Sequence, residues 1–555
     1  MKNIRLYIPV LVLLLLISCG EKENNMPDPK PANVPLTCQY LTVDGIAGVS
    51  QYEDVRRDPV IEILFSTAID QSSALQAVSL VDRNGNKVNL SLSFGKNDSL
   101  MVVRPTGLLD WLSKYTLSVG TNLISQTGTS LIAPSIVNMV TVLDSTDKYP
   151  AIPDDELLTL VQKQTFRYFW EFGHPVSGMA RERSTSGDVV TTGGTGFGIM
   201  AMIVAVERGF ITREEATERI LQITRFLKNN ATRYHGAFAH WIHGATGATQ
   251  PFSQKDDGAD LVETSLLFQG LLTARQYFMK ADQSESELRA LITELWEGIE
   301  WSWFCRDHEE ALYWHWSPNY DWDMNHSIRG WNECLITYVL AASSPTYPIS
   351  KNVYDKGWAR NGEMKNGGSY YGHVLPLGEA YGGPLFFAHY SFLGLNPKGL
   401  KDQYADYWEQ NVRHAAIHYE YGRRNPSGYL GYSGDCWGLT ASDGNSGYSA
   451  HSPTNDRGVI APTAAISSMP YTPEESMAAL HFFYYKLGDK LWREYGFVDA
   501  FNLTVKWYDH QFLAIDQGPM IVMIENHRTG LLWDLLMNCP EVQVGLSKLG
   551  FTRDM

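Results

Sequence analysis

The sequence predicts a mainly α-helical protein, an (α/α)6 toroid preceded by a small Ig-like β-sandwich. Three observations carry this. Short β-branched stretches of alternating polarity fill residues 36–145 and then stop. From Asp154 onward the hydrophobic period is helical and stays so. The helices are of two kinds, amphipathic and apolar on nearly every side, with no fixed repeat between them. A single core does not grow over roughly 400 residues. An inner ring of buried helices covered by an outer amphipathic ring avoids that limit, because each helix packs locally. An α-solenoid competes, but it would show a repeat period.

The elements follow in chain order. Lys2 and Arg5 precede an apolar run from Leu6 to Ile17 and then "LISCG". This reads as a signal peptide over residues 1–18, too short for a stable membrane span. The Leu-Ile-Ser-Cys ending looks like a bacterial lipobox, with Cys19 as the lipid attachment site. Ordinary secretion is the alternative. Residues 19–35 are polar and rich in Asn and Pro, as a flexible tether is. The expected product is an exported, membrane-anchored lipoprotein in the periplasm or at the cell surface.

In the 36–145 region, "PVIEILFSTAI" alternates, and "SLVDRNGNKVNLSLSF" reads as a hairpin around Asn84-Gly85. "DRNGNK" has some likeness to a calcium loop, but the position where a loop starting at Asp82 needs its glutamate is Ser93. The turn reading is therefore preferred. Nothing in this region carries chemistry, and it resembles the Ig-like spacers in front of exported bacterial enzymes.

The 150–555 region is predicted to hold about a dozen helices. "DDELLTLVQKQTFRYFWEF" and "TREEATERILQITRFLKNN" are amphipathic, the second with a Thr cap and Glu three residues on. "GFGIMAMIVAVERGF" is apolar nearly all round. The predicted helices include "SIRGWNECLITYVLAAS", "PLFFAHYSFLGL", "TPEESMAALHFFYYKLG" and "GPMIVMIENHRTGLLWDLLMN".

Net charge of −16 argues against nucleic acid and anionic surfaces as partners. Five cysteines besides Cys19 show no C-x-x-C spacing, so a zinc cluster is not supported. No cofactor is expected. With 16 Trp and 29 Tyr, the aromatic excess falls in Gly-rich polar loops of the second half. Flat rings beside carboxylates suit sugars. Trp314, Trp316 and Trp331 lie in "YWHWSPNYDWDMNHSIRGWNE", and Trp437 lies with Asp443 in "GYLGYSGDCWGLTASDGNSGYSAHSP". A glycan-binding protein could use the same residues without catalysis.

"QKDDGADLVETSLLFQGLLTA" poses a sharper question. Asp256, Asp260 and Glu263 fall in one arc of roughly 60° on a helix, on the stripe continued by Leu267 and Leu271. Like charges at that spacing cost stability. Asp257 as N-cap, with Asp260 three residues on, explains part of it. It does not explain Asp256 or Glu263, which fit a substrate-facing rim.

Glycoside hydrolysis needs one protonated and one ionised carboxyl across the bond. Glu333 stands near a helix start, where Trp331 and Leu335 can raise its pKa by desolvation. Asp516, in "DQGP" before the last long helix, and Asp443 are candidate bases. As structural alternatives, each acid could cap a helix or turn, and "DQGP" could start a helix at Gly518 or Pro519.

"KDDGADLVETSLLFQGLL", "GWNECLITYVLAASSPTYPI", "GGPLFFAHYSFLGLNPKG", "CWGLTASDG", "GVIAPTAAISSMPYTPEES" and "FLAIDQGPMIVMIENHRTGLLW" resemble the glucoamylase-type domain of Bacteroidetes lipoproteins, close to glycoside hydrolase family 144. The resemblance runs from about Asp154 to the C-terminus. It implies an (α/α)6 fold and an inverting, metal-free hydrolase of β-1,2-glucan, acting either as an endo-glucanase or by exo release of sophorose. It assigns Glu333 as general acid, Asp516 as base with Asp443 in reserve, and Asp256, Asp260 and Glu263 as the acidic lining of the cleft. His389, in the "GGPLFFAHYSFLGL" segment, joins Trp314, Trp316, Trp331 and Trp437 as a candidate sugar contact. A glucan oligo- or polysaccharide is the expected partner of a monomeric enzyme. An α-glucosidase acting on starch-like chains shares every motif quoted. A polysaccharide lyase also uses this fold, but it would want cationic residues for a uronate.

Overall fold

The computed structural model describes residues 34–49, 51–306 and 310–553. The signal peptide, Cys19 and all but the end of the tether lie outside these. The chain divides into two compact units between Leu143 and Asp144.

The first unit has two five-stranded sheets. Its strands are β1 (Cys38–Val43), β2 (Ile46–Ala47), β3 (Gln51–Val55), β4 (Ile61–Phe65), β5 (Val78–Asp82), β6 (Lys87–Val88), β7 (Leu90–Gly95), β8 (Leu100–Pro105), β9 (Lys114–Val119) and β10 (Ser135–Thr141). The orders are β2-β1-β4-β8-β7 and β3-β10-β9-β5-β6. Alternation sets the core: Ile61, Ile63 and Phe65 of β4 point inward and meet Leu80, Leu117 and Val119 of the other sheet. The turn at Asn84-Gly85 joins β5 to β6 in antiparallel register. The carboxylate of Asp82 accepts from the backbone N–H of Asn84 and Asn86, which occupies it as a turn lock. A two-turn helix, α1 (Gln71–Ala77), is capped by Asp70.

The second unit is helical: α2 (Asp154–Trp170), α3 (Thr192–Glu207), α4 (Arg213–Asn229), α5 (Leu261–Tyr277), α6 (Gln283–Glu297), α7 (Leu335–Ser343), α8 (Lys351–Lys356), α9 (Tyr407–Arg424), α10 (Pro462–Ile466), α11 (Pro473–His481), α12 (Gly488–Leu491), α13 (Ala514–Arg528), α14 (Leu531–Met537) and α15 (Pro540–Leu549). Helices α3, α5, α7 and α13 are buried along most of their length. Helix α3 packs between α5 and α13, and α7 lies against α5. Outside them run amphipathic helices such as α4, which opens on the capping box formed by Thr212 and Glu215.

Helix α3 begins at Thr192 and includes four glycines in its first half. Glycine disfavours a helix by about 1 kcal/mol against alanine, so local preference does not place this start. Packing does. A Cβ on Gly196 would stand 2.2 Å from the carbonyl oxygen of Leu266, and one on Gly270 would stand 2.2 Å from that of Gly196. The two helix backbones touch. Gly196→Ala is expected to lower stability by about 3 kcal/mol, read as the midpoint of urea unfolding. An unchanged midpoint would mean that α3 and α5 can separate at little cost.

Several expected helices are shorter or differently placed. Ser327 to Cys334 is irregular, and α7 starts only at Leu335. "PLFFAHYSFLGL" forms two short 3₁₀ turns. After α11 the chain makes one π turn over Phe482–Lys486. Gly530, at φ 76°, separates α13 from α14 where one helix was expected. Helix α13 starts at Ala514 and carries Pro519 within it, so "DQGP" is no loop and no N-cap.

Candidate active site

The N-terminal ends of α3, α5, α7 and α13 face one cleft of about 360 Å³. Thr191 before α3, Glu263 of α5, Glu333 before α7, and Leu513 and Ile515 at the start of α13 all line it. Loops supply the rest, including Arg183, His240, Trp241, Phe252, Trp314, Tyr390 and Tyr448. Strands β11 (Val189–Thr191), β12 (Trp241–His243) and β13 (Thr249–Gln250) form a small antiparallel sheet that carries His240 at its edge. Strand β14 (Ala259–Asp260) pairs with β15 (His315–Trp316).

That last pairing answers the question raised by the acids of 256–263. The chain is extended through Asp260, so the helix cannot begin at Asp257. Asp260 itself is the N-cap, its carboxylate accepting from Glu263 N–H at 2.9 Å. Asp257 instead accepts from Ser317 and Asn319 in the neighbouring loop. Asp260 is fully buried, and its other oxygen takes His240 Nδ1 at 3.1 Å. Glu263 accepts from the Gly193 backbone N–H at 2.7 Å. A Cβ on Gly193 would come within 2.7 Å of that carboxylate, so the glycine is required there. Asp256 is 4% exposed, and its Oδ2 lies 3.3 Å from His315 Nε2.

Charge is concentrated here in little water, and the titration behaviour follows. Burial raises Asp256 to about 7, helped by the charge on Asp260. Burial likewise raises Glu263. His240 would be lowered by burial, but the charges of Glu263 and Asp260 overcome that and hold it at about 9. His315 is pushed down to about 4 by burial and is neutral.

Glu333 borders the cleft and is raised to about 7, by burial first and then by the charges of Glu263 and Asp260. Desolvation by Trp331 and Leu335 was expected to do this, and the acids of α5 add to it. Tyr390 stands within electrostatic reach of Asp516, Glu333 and Glu263, and its buried hydroxyl has no hydrogen-bond partner.

Asp516 is in the first turn of α13, 3% exposed. Its carboxyl shares a hydrogen bond with that of Asp499, so one of the two carries the proton. Burial and the charge on Asp516 push Asp499 well up. Asp516 is raised to about 7 by burial, and the bond from Asp499 restrains that rise. Asp443 donates its backbone N–H to Asp499 at 2.6 Å. Both of its carboxylate oxygens are engaged by Arg183 Nη1, at 2.8 and 3.1 Å.

Two groups bring possible metal ligands within 4.8 Å of one another: His240 with Asp256 and Asp260, and Asp443 with Asp499 and Asp509. The second already holds the Arg183 guanidinium.

Three candidate sugar contacts are placed otherwise. Trp437 is fully buried, its indole N–H donating to the Glu475 carbonyl, so neither ring face is open. Trp331 is 6% exposed among Trp358, Phe392, Tyr407 and His414. His389 is buried against Tyr471, with Nε2 bonded to Ser468. These are core residues. Gly-rich sequence made Trp331 and Trp437 look like loop residues, but helices α9 and α11 cover them, and His389, expected on a helix, ends a buried 3₁₀ turn. Trp314 lines the cleft. Trp316 is half-buried just outside it, packed on Trp303 and His235.

His240, His315, Arg183, Tyr390 and Asp499 were not singled out in the sequence. None sits in a recognisable spacing, since the site partners named above for His240, His315, Arg183 and Asp499 are between 17 and 260 positions away. The one available signal for Arg183 and Asp499 is polarity beside apolar stretches, which is too common to select them.

Residues 325–540 match the Glycoamylase family model, described as "Putative glucoamylase". An exo β-1,2-glucooligosaccharide sophorohydrolase from Parabacteroides distasonis is 49% identical over 427 residues, covering 73% of this chain and 59% of its own length. The chain thus spans less than two thirds of that relative. Among solved structures, a Bacteroides uniformis protein described in the same words as the family is 59% identical over 73% of this chain and 99% of its own, at a TM-score of 0.72. An endo-β-1,2-glucanase from Chitinophaga pinensis, solved with sophorotriose and glucose, is 53% identical over 72% of this chain and 99% of its own, at 0.71.

Proposed function

Because the chain belongs to the Glycoamylase family, we propose that it is a glycoside hydrolase that cleaves β-1,2-glucan with inversion at the anomeric carbon. The observation that carries this reading is Glu333, a carboxyl bordering the cleft and raised to about 7. That is where a proton donor must titrate to work near neutrality. Glu333 protonates the glycosidic oxygen. Asp516 takes the proton from a water that attacks the far side of the anomeric carbon. Asp443 is the weaker candidate for that base, because Arg183 already compensates its charge. Glu263, Trp314 and the free hydroxyl of Tyr390 hold the sugars, and Asp256 and Asp260, expected to join them, are buried behind His240 and set the charge of the cleft wall.

The helical unit is an (α/α)6 toroid in this reading, supported by the gathering of the buried helices' N-terminal ends at one cleft. The first unit is an Ig-like spacer, supported by its two packed sheets. Export and lipid attachment at Cys19 belong to the same proposal, resting on the sequence of residues 1–19.

The test incubates the purified protein with linear β-1,2-glucan and, separately, with maltooligosaccharides, and sizes the products by mass spectrometry. Short oligomers or sophorose are expected from the β-1,2-glucan alone, with the new reducing end appearing first as the α-anomer by NMR. Glucose from maltooligosaccharides would assign the enzyme to starch-like chains. Binding of β-1,2-glucan without cleavage would make it a glycan-binding protein.

A further inference from the structure

Behind His240, which lines the cleft, lie two buried carboxylates, Asp256 and Asp260, that a carbohydrate does not by itself explain. Asp256 is 4% exposed, and its Oδ1 accepts no hydrogen bond. A buried carboxylate oxygen with no donor costs stability unless something compensates it. Its surroundings are those of a metal ligand. His240, Asp256 and Asp260 each place one donor atom within 4.8 Å of the other two. His240 Nδ1 lies 3.1 Å from Asp260 Oδ2. Ligands around a tetrahedral zinc ion stand about 3.4 Å apart, given bonds of roughly 2.0–2.2 Å to nitrogen and oxygen.

The surrounding shell fits as well. A ligating imidazole usually turns its second nitrogen to a carboxylate, and ligating carboxylates are themselves hydrogen-bonded. His240 Nε2 faces Glu263 Oε1 at 3.9 Å. His315 Nε2 lies 3.3 Å from Asp256 and 3.8 Å from Asp260. His240 also lines the cleft, so an ion can enter and leaves one coordination position towards the substrate space.

We propose that His240, Asp256 and Asp260 form a site for a single zinc ion, and that its occupancy inhibits the enzyme. Two carboxylates and an imidazole suit zinc, and the ion takes the place of the proton that His240 shares with Asp260, releasing it to solvent. Calcium prefers six to eight oxygens and magnesium a near-octahedral oxygen shell, and this pocket offers neither. The ion ties up His240 at the cleft wall and adds positive charge next to the proton donor. No zinc spacing is visible in the sequence, because His240 stands 16 and 20 positions before Asp256 and Asp260 and meets them through the backbone bond from Asp260 N–H to the Phe238 carbonyl. Binding stands apart from the hydrolase reading; only the inhibition rests on it.

The test uses tag-free protein stripped of metal, with zinc affinity measured by competition against a chromogenic chelator. One equivalent of zinc per chain is expected, with magnesium not competing. His240→Ala and Asp256→Asn should each weaken binding by roughly 10-fold or more. His481→Ala, a surface histidine paired with Asp154, should leave it unchanged. Circular dichroism checks that the variants fold. In the hydrolase assay, zinc should inhibit with the same midpoint as binding, and a chelator should restore the rate. Less than one equivalent bound, or equal affinity in wild type and Asp256→Asn, overturns the site. Stoichiometric binding without inhibition of a working enzyme overturns the regulatory role. A protein without hydrolase activity that still binds one zinc keeps the site and removes the reading it was placed in.

Discussion

Glu333→Gln is expected to lower the rate of β-1,2-glucan hydrolysis by roughly 10²–10⁴-fold, with little change in the unfolding midpoint. The amide keeps the size and apolar contacts of the side chain, but it has no proton to give. The effect is predicted to be large because nothing else at the cleft can replace it. The nearest acids, Glu263 and Asp260, are engaged with Gly193 and His240. The wild-type pH profile follows from the same group. Glu333 donates only while protonated, so activity should fall as pH rises through about 7. In Glu263→Gln that limb should move to lower pH, since the charge of Glu263 is one of those raising Glu333. A Glu333→Gln variant with near-wild-type rate would move the donor role elsewhere in the cleft.

Asp516→Asn is the second variant expected to lose most of the activity, again by roughly 10²–10⁴-fold. It removes the proposed proton acceptor. The acid limb of the profile belongs to this residue, because Asp516 must be ionised, so activity should decline as pH falls below about 7. The companion variant Asp499→Asn separates base from partner. Its amide oxygen can still accept from Asp443 N–H while its NH2 donates to Asp516, which keeps the link between the two side chains. It should therefore retain activity within about tenfold. Equal losses in Asp516→Asn and Asp499→Asn would mean that the pair only holds the structure. Loss in Asp443→Asn alone would pass the base role to that residue.

How much of this site was legible depended on distance along the chain. Glu333 was readable because its helix start, its apolar neighbours and the Trp-rich loop all lie within a few residues. The acids of 256–263 were readable as an anomaly, since their spacing opposes helix stability. Their partition into cap and ligands was not, because the pairing of β14 with β15 decides where α5 begins. Trp437, Trp331 and His389 show the converse. Their loops have the composition of a sugar platform, yet helices far away in sequence bury them. His240 and Asp499 carried no local mark at all.

By itself the sequence determined the change from strand period to helical period, the caps such as Thr212 with Glu215, and the stock of carboxylates and aromatic rings. Those are set by side chains within about one helical turn of each other. Only the tertiary structure decided where α3 and α13 begin, which rings are core and which are lining, and which carboxyls share a proton. Backbone contact at Gly196 and Gly270, the clasp of His240 on Asp260, and the bond between Asp499 and Asp516 all join segments with no local relation. Their energies come from exclusion of water and close approach, which exist only after the helices have met.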